Sequence, residues 1–434
     1  MKSFSRRRFL AGASGGVALA SLAPRSAPAL GALGANEKVR LGCIGTGGRG
    51  QHHIANFKEH LSDEVEIAAV CDVDPRHLEG AARLAGGSVR KTAEFREILD
   101  AKDIDAVVIS TPDHWHAYPA IRACEAGKDV YVEKPIGHNV REGRLVADAA
   151  KKHGRVVAIG TQQRSGAHWI EAVRRIRAGE IGKVTFVHAW NAWSVEGMGG
   201  NLGNPPDSDP PPGVDYDRWL GPAPERRFNP ARFHFSFYFF WDYSGGMVSA
   251  WGVHLFDVVS WALGHEILAV DAVGGKLVHQ DIRETPDTAT ATFECPGYTL
   301  TYTMRHGNGF PLYGELDHGI DFHGSKGTLR INRRRFAIFP EGSDKPSARV
   351  EAKDLGEMHM DIPHKKNWLQ CIRDRKKPNA DAEDGHRSSI YGHLANISYR
   401  AGRRIRWDAK AEAIPGDSEA SALLTREYRA PWAL

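Results

Sequence analysis

Cysteine is scarce in this chain: five in 434 residues, at positions 43, 71, 124, 295 and 371. An odd number without close spacing makes neither a disulfide framework nor a metal site, so these read as buried thiols, two of them in core strands. Net charge is small too, at +4, and part of that excess sits in the first 35 residues. No basic tract resembles a nucleic-acid arm, which excludes that class of partner. Beyond the leader no segment approaches the roughly 20 apolar residues of a membrane span, and there is no internal repeat. What is left, 41% hydrophobic and 25% charged, is the composition of a soluble globular protein with room for two domains.

Residues 1–35 stand apart from that fold. Ser5-Arg6-Arg7-Arg8-Phe9-Leu10 precedes an Ala/Gly-rich run from Ala11 to Ala23, and Ala27-Pro28-Ala29 offers a small-x-small cleavage site. The pattern is that of a twin-arginine export signal, and the expected address is the periplasm or beyond, with no membrane association after export.

The rest is organised around Lys38–Gly50, KVRLGCIGTGGRG. Val39, Leu41, Cys43 and Ile44 predict a buried strand, and Ile54, Phe57 and Leu61 a helix. Between them stands Gly45-Thr46-Gly47-Gly48-Arg49-Gly50, a glycine turn at a helix N-terminus that suits a dinucleotide pyrophosphate. A second apolar run, Val65 to Val70, ends in Cys71-Asp72. Asp72 lies 22 positions past Gly50, where a ribose-binding acid belongs. Its carboxylate would repel a 2′-phosphate, so NAD is the expected cofactor, while nearby Arg76 leaves NADP open.

Strands and helices alternate from residue 36 to about 160, predicting a doubly wound parallel sheet with ligands at the strand C-termini. Ile104–Ser110 ends at Thr111-Pro112, with His114 and Trp115 following to line the cofactor cleft. Asp129–Val132 ends at Glu133-Lys134-Pro135. A lysine there can exchange protons if burial lowers its pKa, and the proline is expected to be cis. Asn139 with Glu142 suggests a capping box for a helix to His153. From 161 to 434 the pattern becomes short alternating runs, suited to an open, mostly antiparallel sheet, with helices returning after about residue 360. Residues 194–240 read as a long irregular insertion, functional or an oligomer contact. Its aromatics and those just after it (Trp219, Phe233, Tyr238, Trp241) could stack on sugar faces. Gln162, Gln163 and Arg164 are placed for substrate hydroxyls. His52-His53 and His114-Trp115-His116 raise the question of a metal, but no metal is expected.

GTGGRG, STPDHWH, VEKP and GVHLFD together resemble the Gfo/Idh/MocA (glucose–fructose oxidoreductase, inositol dehydrogenase, rhizopine catabolism) family over essentially the whole chain after the leader. The resemblance implies a Rossmann domain plus an α/β domain whose sheet often makes oligomer contacts, here a homo-dimer or tetramer. It implies NAD(P)-dependent chemistry on a sugar or polyol hydroxyl, with Lys134 and His254 handling the proton. Many relatives carry an aspartate four residues before that histidine; here the position is Ala250. Asp257, Asp242 or Tyr243 is expected to supply the missing polar group, and Tyr243 and Asp257, with Gln162 and Arg164, are the expected substrate contacts. An exported enzyme exchanges nicotinamide poorly, which suggests a tightly held, recycled cofactor. Two other readings follow: a glycosidase that oxidises C3 transiently, and a non-catalytic dinucleotide-bound sensor.

Overall fold

The structure, a computed structural model, describes residues 37–434 except 87, 312–316 and 356–359. The expected export signal therefore lies outside the described residues.

The first sheet has six parallel strands, β1 (Val39–Ile44), β2 (Val65–Cys71), β3 (Arg90–Thr92), β4 (Ala106–Ile109), β5 (Asp129–Val132) and β6 (Val157–Ile159). They lie in the order β3-β2-β1-β4-β5-β6. Except for β3 these are apolar runs, as expected of strands buried on both faces. Five helices connect them: α1 (Gly48–His60), α2 (Pro75–Ala85), α3 (Phe95–Asp100), α4 (Ala117–Glu125) and α5 (Val140–His153). Asp74 caps α2 ahead of Pro75, and Asn139 caps α5 by accepting the Glu142 amide (2.9 Å). The Glu142 carboxylate reaches the His138 amide (2.8 Å), one residue before its expected capping-box partner.

The strand order turns back between β1 and β4, so the C-terminal ends of those strands and of β5 open onto one crevice. Residues 111–115 and 133–135 follow β4 and β5 directly and so lie at its edge.

Next come α6 (Ala167–Arg177), β7 (Val184–Ser194), α7 (Tyr216–Leu220), α8 (Gly246–Ala250) and α9 (Gly252–Leu263). The helical run from 246 to 263 is broken at Trp251 into α8 and α9. The second sheet holds β7 with β8 (Ala269–Gly275), β9 (Thr288–Cys295), β10 (Tyr298–Gly307), β11 (His318–Gly324), β12 (Gly327–Ile331), β13 (Arg335–Pro340), β14 (Ala348–Glu351) and β15 (Ile405–Arg406). Its order is β14-β13-β12-β11-β7-β10-β9-β8-β15, and it is mixed, because β7 and β10 run parallel while the remaining pairs are antiparallel. A large apolar core joins its inner face to α6, α9 and the aromatics of the insertion.

Two helices, α10 (Asp361–Asp374) and α11 (Ala382–Ala401), precede β15, and the short α12 (Ser418–Ala422) follows it. Trp368, Leu369 and Ile372 of α10 pack with Val39, Leu41 and Tyr131, so the returning chain covers the first sheet. All five cysteines are free and buried. No described helix is long and apolar enough to cross a membrane.

Candidate active site

The glycine turn works by close approach. Gly45 has φ +78°, and a Cβ there would lie 2.6 Å from the Thr111 amide nitrogen. A Cβ at Gly50 would lie 2.2 Å from the Gly45 carbonyl oxygen, so α1 reaches the strand only without side chains at these positions. No side chain caps α1, whose first N–H groups therefore stay available to an anion.

The crevice beside this turn is a cleft of about 610 Å³ that runs to the second sheet. Gly45, Gly47, Gly48, Arg49, Asp72, Thr111, Pro112, Glu133, Lys134, Gln162 and His254 line it, so most of the expected site residues are brought together. Asp72 takes the Thr46 amide (2.6 Å) and hydroxyl (3.2 Å) on one oxygen and the Asp74 amide (2.9 Å) on the other. Thr46 thus positions the acid and does not line the cleft. Arg76 is clamped on Asp74 through two nitrogens (3.0 and 2.6 Å). The residues present fit a dinucleotide of the NAD kind.

At the other end, Glu133 accepts from Arg49 Nε (2.7 Å) and pairs with His53 Nε2 (2.9 Å). Burial opposes its charge, but Arg49 and His53 outweigh burial and hold Glu133 well below the usual carboxylate range. Arg49 also binds Asp361 (2.6 Å). The next residue, Lys134, precedes a cis peptide to Pro135. Its amine donates to the Ala250 carbonyl (2.8 Å) and lies 5.5 Å from the Tyr238 ring centroid. Burial pushes the Lys134 pKa down. His254 follows four residues after Ala250, on α9 beyond the break at Trp251. Burial, then the cations Arg333 and Lys134, hold its ring well below the ordinary histidine range, so it is neutral. Its Nδ1 has no partner among the described residues.

Several expected contacts fall elsewhere. His114 faces away from the cleft, with Nε2 on the Trp219 carbonyl (3.0 Å), while its neighbours Trp115 and His116 line it. Arg164 and Asp257 do not line the cleft: they form a buried ion pair (2.9 Å) extended to Asp384 (3.2 Å). Each satisfies the charge the other would otherwise leave unpaired. Tyr243 is fully buried against His114 and Trp219, and Asp242 pairs with Arg226 (2.5 Å). None of the three groups expected to replace the missing aspartate is bonded to His254. Gly50 and Pro135 do not line the cleft. Gln162 does face it, with Oε1 unpartnered among the described residues.

The histidines considered for metal binding are engaged otherwise, His53 with Glu133 and His116 with the Pro135 (2.6 Å) and Thr111 (2.9 Å) carbonyls. A different group, Asp74, His77 and His234, brings three possible ligand atoms within 4.8 Å of one another near Asp72. Both Asp74 oxygens are already taken by Arg76.

Sequence reasoning did not single out Met247, Trp251, Arg333 or Trp432, all of which line the cleft. Arg333 hides in a run of three arginines, and Trp432 in a tail without periodicity.

Residues 39–161 match the family model described as the NAD-binding Rossmann fold of the Gfo/Idh/MocA oxidoreductases, and residues 188–434 match its C-terminal alpha/beta domain. The chain is 27% identical to scyllo-inositol 2-dehydrogenase (NAD(+)) of Bacillus subtilis, over 86% of this chain and 98% of that protein. It is 33% identical to a glycosyl hydrolase family 109 protein of Shewanella pealeana, over 34% of each chain. Among solved structures, the WlbA dehydrogenase of Bordetella pertussis in complex with NADH and UDP-GlcNAcA superposes with a TM-score of 0.64. There the identity is 23%, covering 86% of this chain and 99% of that one.

Proposed function

The chain belongs to the Gfo/Idh/MocA oxidoreductase family and uses NAD(P), and from that premise we propose that it moves a hydride to or from a carbon bearing a sugar or polyol hydroxyl. One observation carries the reading: the Lys134 amine and the His254 ring line the same cleft as the glycine turn. When bound, NAD supplies the hydride acceptor or donor at that cleft. The chain's own residues do the rest. The Lys134 ammonium donates to the reacting oxygen, and the neutral His254 ring accepts the hydroxyl proton. The Tyr238 ring faces the amine and favours its charged form. The Ala250 carbonyl holds Lys134 from a position where relatives often carry a carboxylate, so here the backbone orients the amine.

The twin-arginine pattern supports an exported, periplasmic enzyme that loads its cofactor before leaving the cytoplasm. The cofactor would then be held and recycled within each turnover. The exposed outer face of the second sheet favours a homo-oligomer.

A second reading is favoured by the likeness to the family 109 glycosyl hydrolase. The sugar C3 hydroxyl is oxidised, C2–H is acidified and lost as the aglycone leaves, water adds, and the C3 ketone is reduced again. One experiment separates the two. Purified protein is denatured to identify released dinucleotide, and fresh protein is offered free sugars and nitrophenyl glycosides. NADH absorbance accumulating with a free sugar supports the dehydrogenase. Nitrophenol release without net NADH supports the glycosidase. A protein inert to both, and still inert after cofactor addition, leaves the sensor.

A further inference from the structure

Arg333 sits at the tip of the hairpin between β12 and β13, and the hairpin is built to hold it. The Asn332 amide donates to the Arg335 carbonyl (3.0 Å), and the buried Asn332 side chain accepts the Arg334 and Arg335 amides (2.7 and 3.2 Å). The Asn332 carbonyl is tied in turn to the His168 ring (3.0 Å). So fixed, Arg333 enters the cleft with its guanidinium 4.7 Å from the Trp251 ring centroid. The rings of His254 and His318 stand 5.6 and 5.5 Å from that same ring.

Arg49, the other guanidinium at this end of the cleft, is saturated by Glu133 and Asp361. Arg333 is not. Its buried Nε donates to nothing, and among the described residues no carboxylate forms an ion pair with it, Asp361 and Asp317 attracting it only from a distance. A partly buried cation left unpaired is costly, and the cost is recovered when an anion arrives. A single planar fork matches one carboxylate in geometry and in charge, whereas a phosphate dianion calls for further cations. Trp251 beside it offers an apolar face for a sugar ring.

We propose that Arg333 is the anion-recognising residue of the substrate subsite, and that the sugar carries a carboxylate, as a uronate or sugar acid does. The carboxylate accepts from Arg333 while the hydroxyl to be oxidised faces Lys134 and His254. The assignment rests on reading the cleft as a sugar oxidoreductase site, and its test keeps the two apart.

D-Glucuronate, D-glucose and glucose 6-phosphate are titrated calorimetrically into the protein carrying its cofactor, as wild type, Arg333→Gln and Arg333→Lys. The wild type is expected to bind glucuronate at least about 10-fold more tightly than glucose. Arg333→Gln erases that preference and Arg333→Lys retains part of it. The proposal is overturned if the wild type shows no preference, if the glutamine variant keeps it, or if the phosphate ester binds more tightly than the uronate. NADH absorbance is followed with each sugar in parallel. A preference for glucuronate without any hydride transfer upholds the carboxylate site and removes the oxidoreductase reading. Hydride transfer with no preference does the reverse.

Discussion

Lys134 is a reacting group and an anchor at once, because the amine placed for proton transfer already donates to a carbonyl of the second domain. Replacing it with Met keeps the stem but removes the charge, and turnover is expected to fall by about 10²- to 10⁴-fold. The pH profile gives an independent check. The amine must be protonated to donate, and burial lowers its pKa, so activity should fade as pH rises through a value below the ordinary 10.5. His254 is neutral well into the acid range, so its protonation does not limit activity near neutrality. An alkaline limb at or above 10.5, or one that survives in Lys134→Met, would contradict this assignment. Arg164 and Asp257 teach the opposite lesson. In the sequence both look like polar residues waiting for a ligand, yet in the fold each is the other's partner, buried far from free solvent.

At the scale of elements, the cofactor end of the cleft is walled by segments remote in sequence. Met198, Trp219 and His234 come from the insertion between β7 and α8, and Trp432 from the C-terminal tail. Trp432 packs edge-on against Trp115 (4.9 Å) and Tyr118 (5.6 Å), and Arg96 lies over its ring (5.2 Å). Trp432→Ala should release the dinucleotide more readily, with affinity roughly 2- to 10-fold weaker. Dinucleotide retained after gel filtration measures this, and undiminished retention would show the tail to be dispensable. The first sheet, β3 apart, was legible because its strands are apolar runs ended by glycine, Asp72 or Glu133-Lys134, where periodicity and turn chemistry agree; β3 is the charged Arg-Lys-Thr and gave no such signal. The second sheet was less so. Its edge strand Ala-Arg-Val-Glu carries charge at half its positions, β15 is two residues long, and nothing local reveals that β7 and β10 run parallel. The cleft's glycines, Asp72 and Lys134 could be read from spacing, but Arg333 could not, since only the hairpin tip separates it from Arg334 and Arg335.

Across the whole molecule, buried histidines set a limit in acid. Burial pushes His53 and His114 down to about 3 and His364 and His393 down to about 4. Between those values and the unfolded pKa near 6.5 the unfolded chain binds protons that the folded chain refuses, so stability rises with pH across that window and falls as pH drops through it. Each histidine contributes a slope on the order of 1 kcal/mol per pH unit. Urea midpoints should hold steady above about pH 7 and decline steeply from about pH 6 to 4; a flat profile would refute neutral burial. The position of Trp432 carries a last consequence, one of timing. A ribosome makes the glycine turn early and the tryptophan almost four hundred residues later, so a growing chain presents only an open, half-walled groove. The tail's share in holding the dinucleotide is therefore added only once synthesis has passed residue 432.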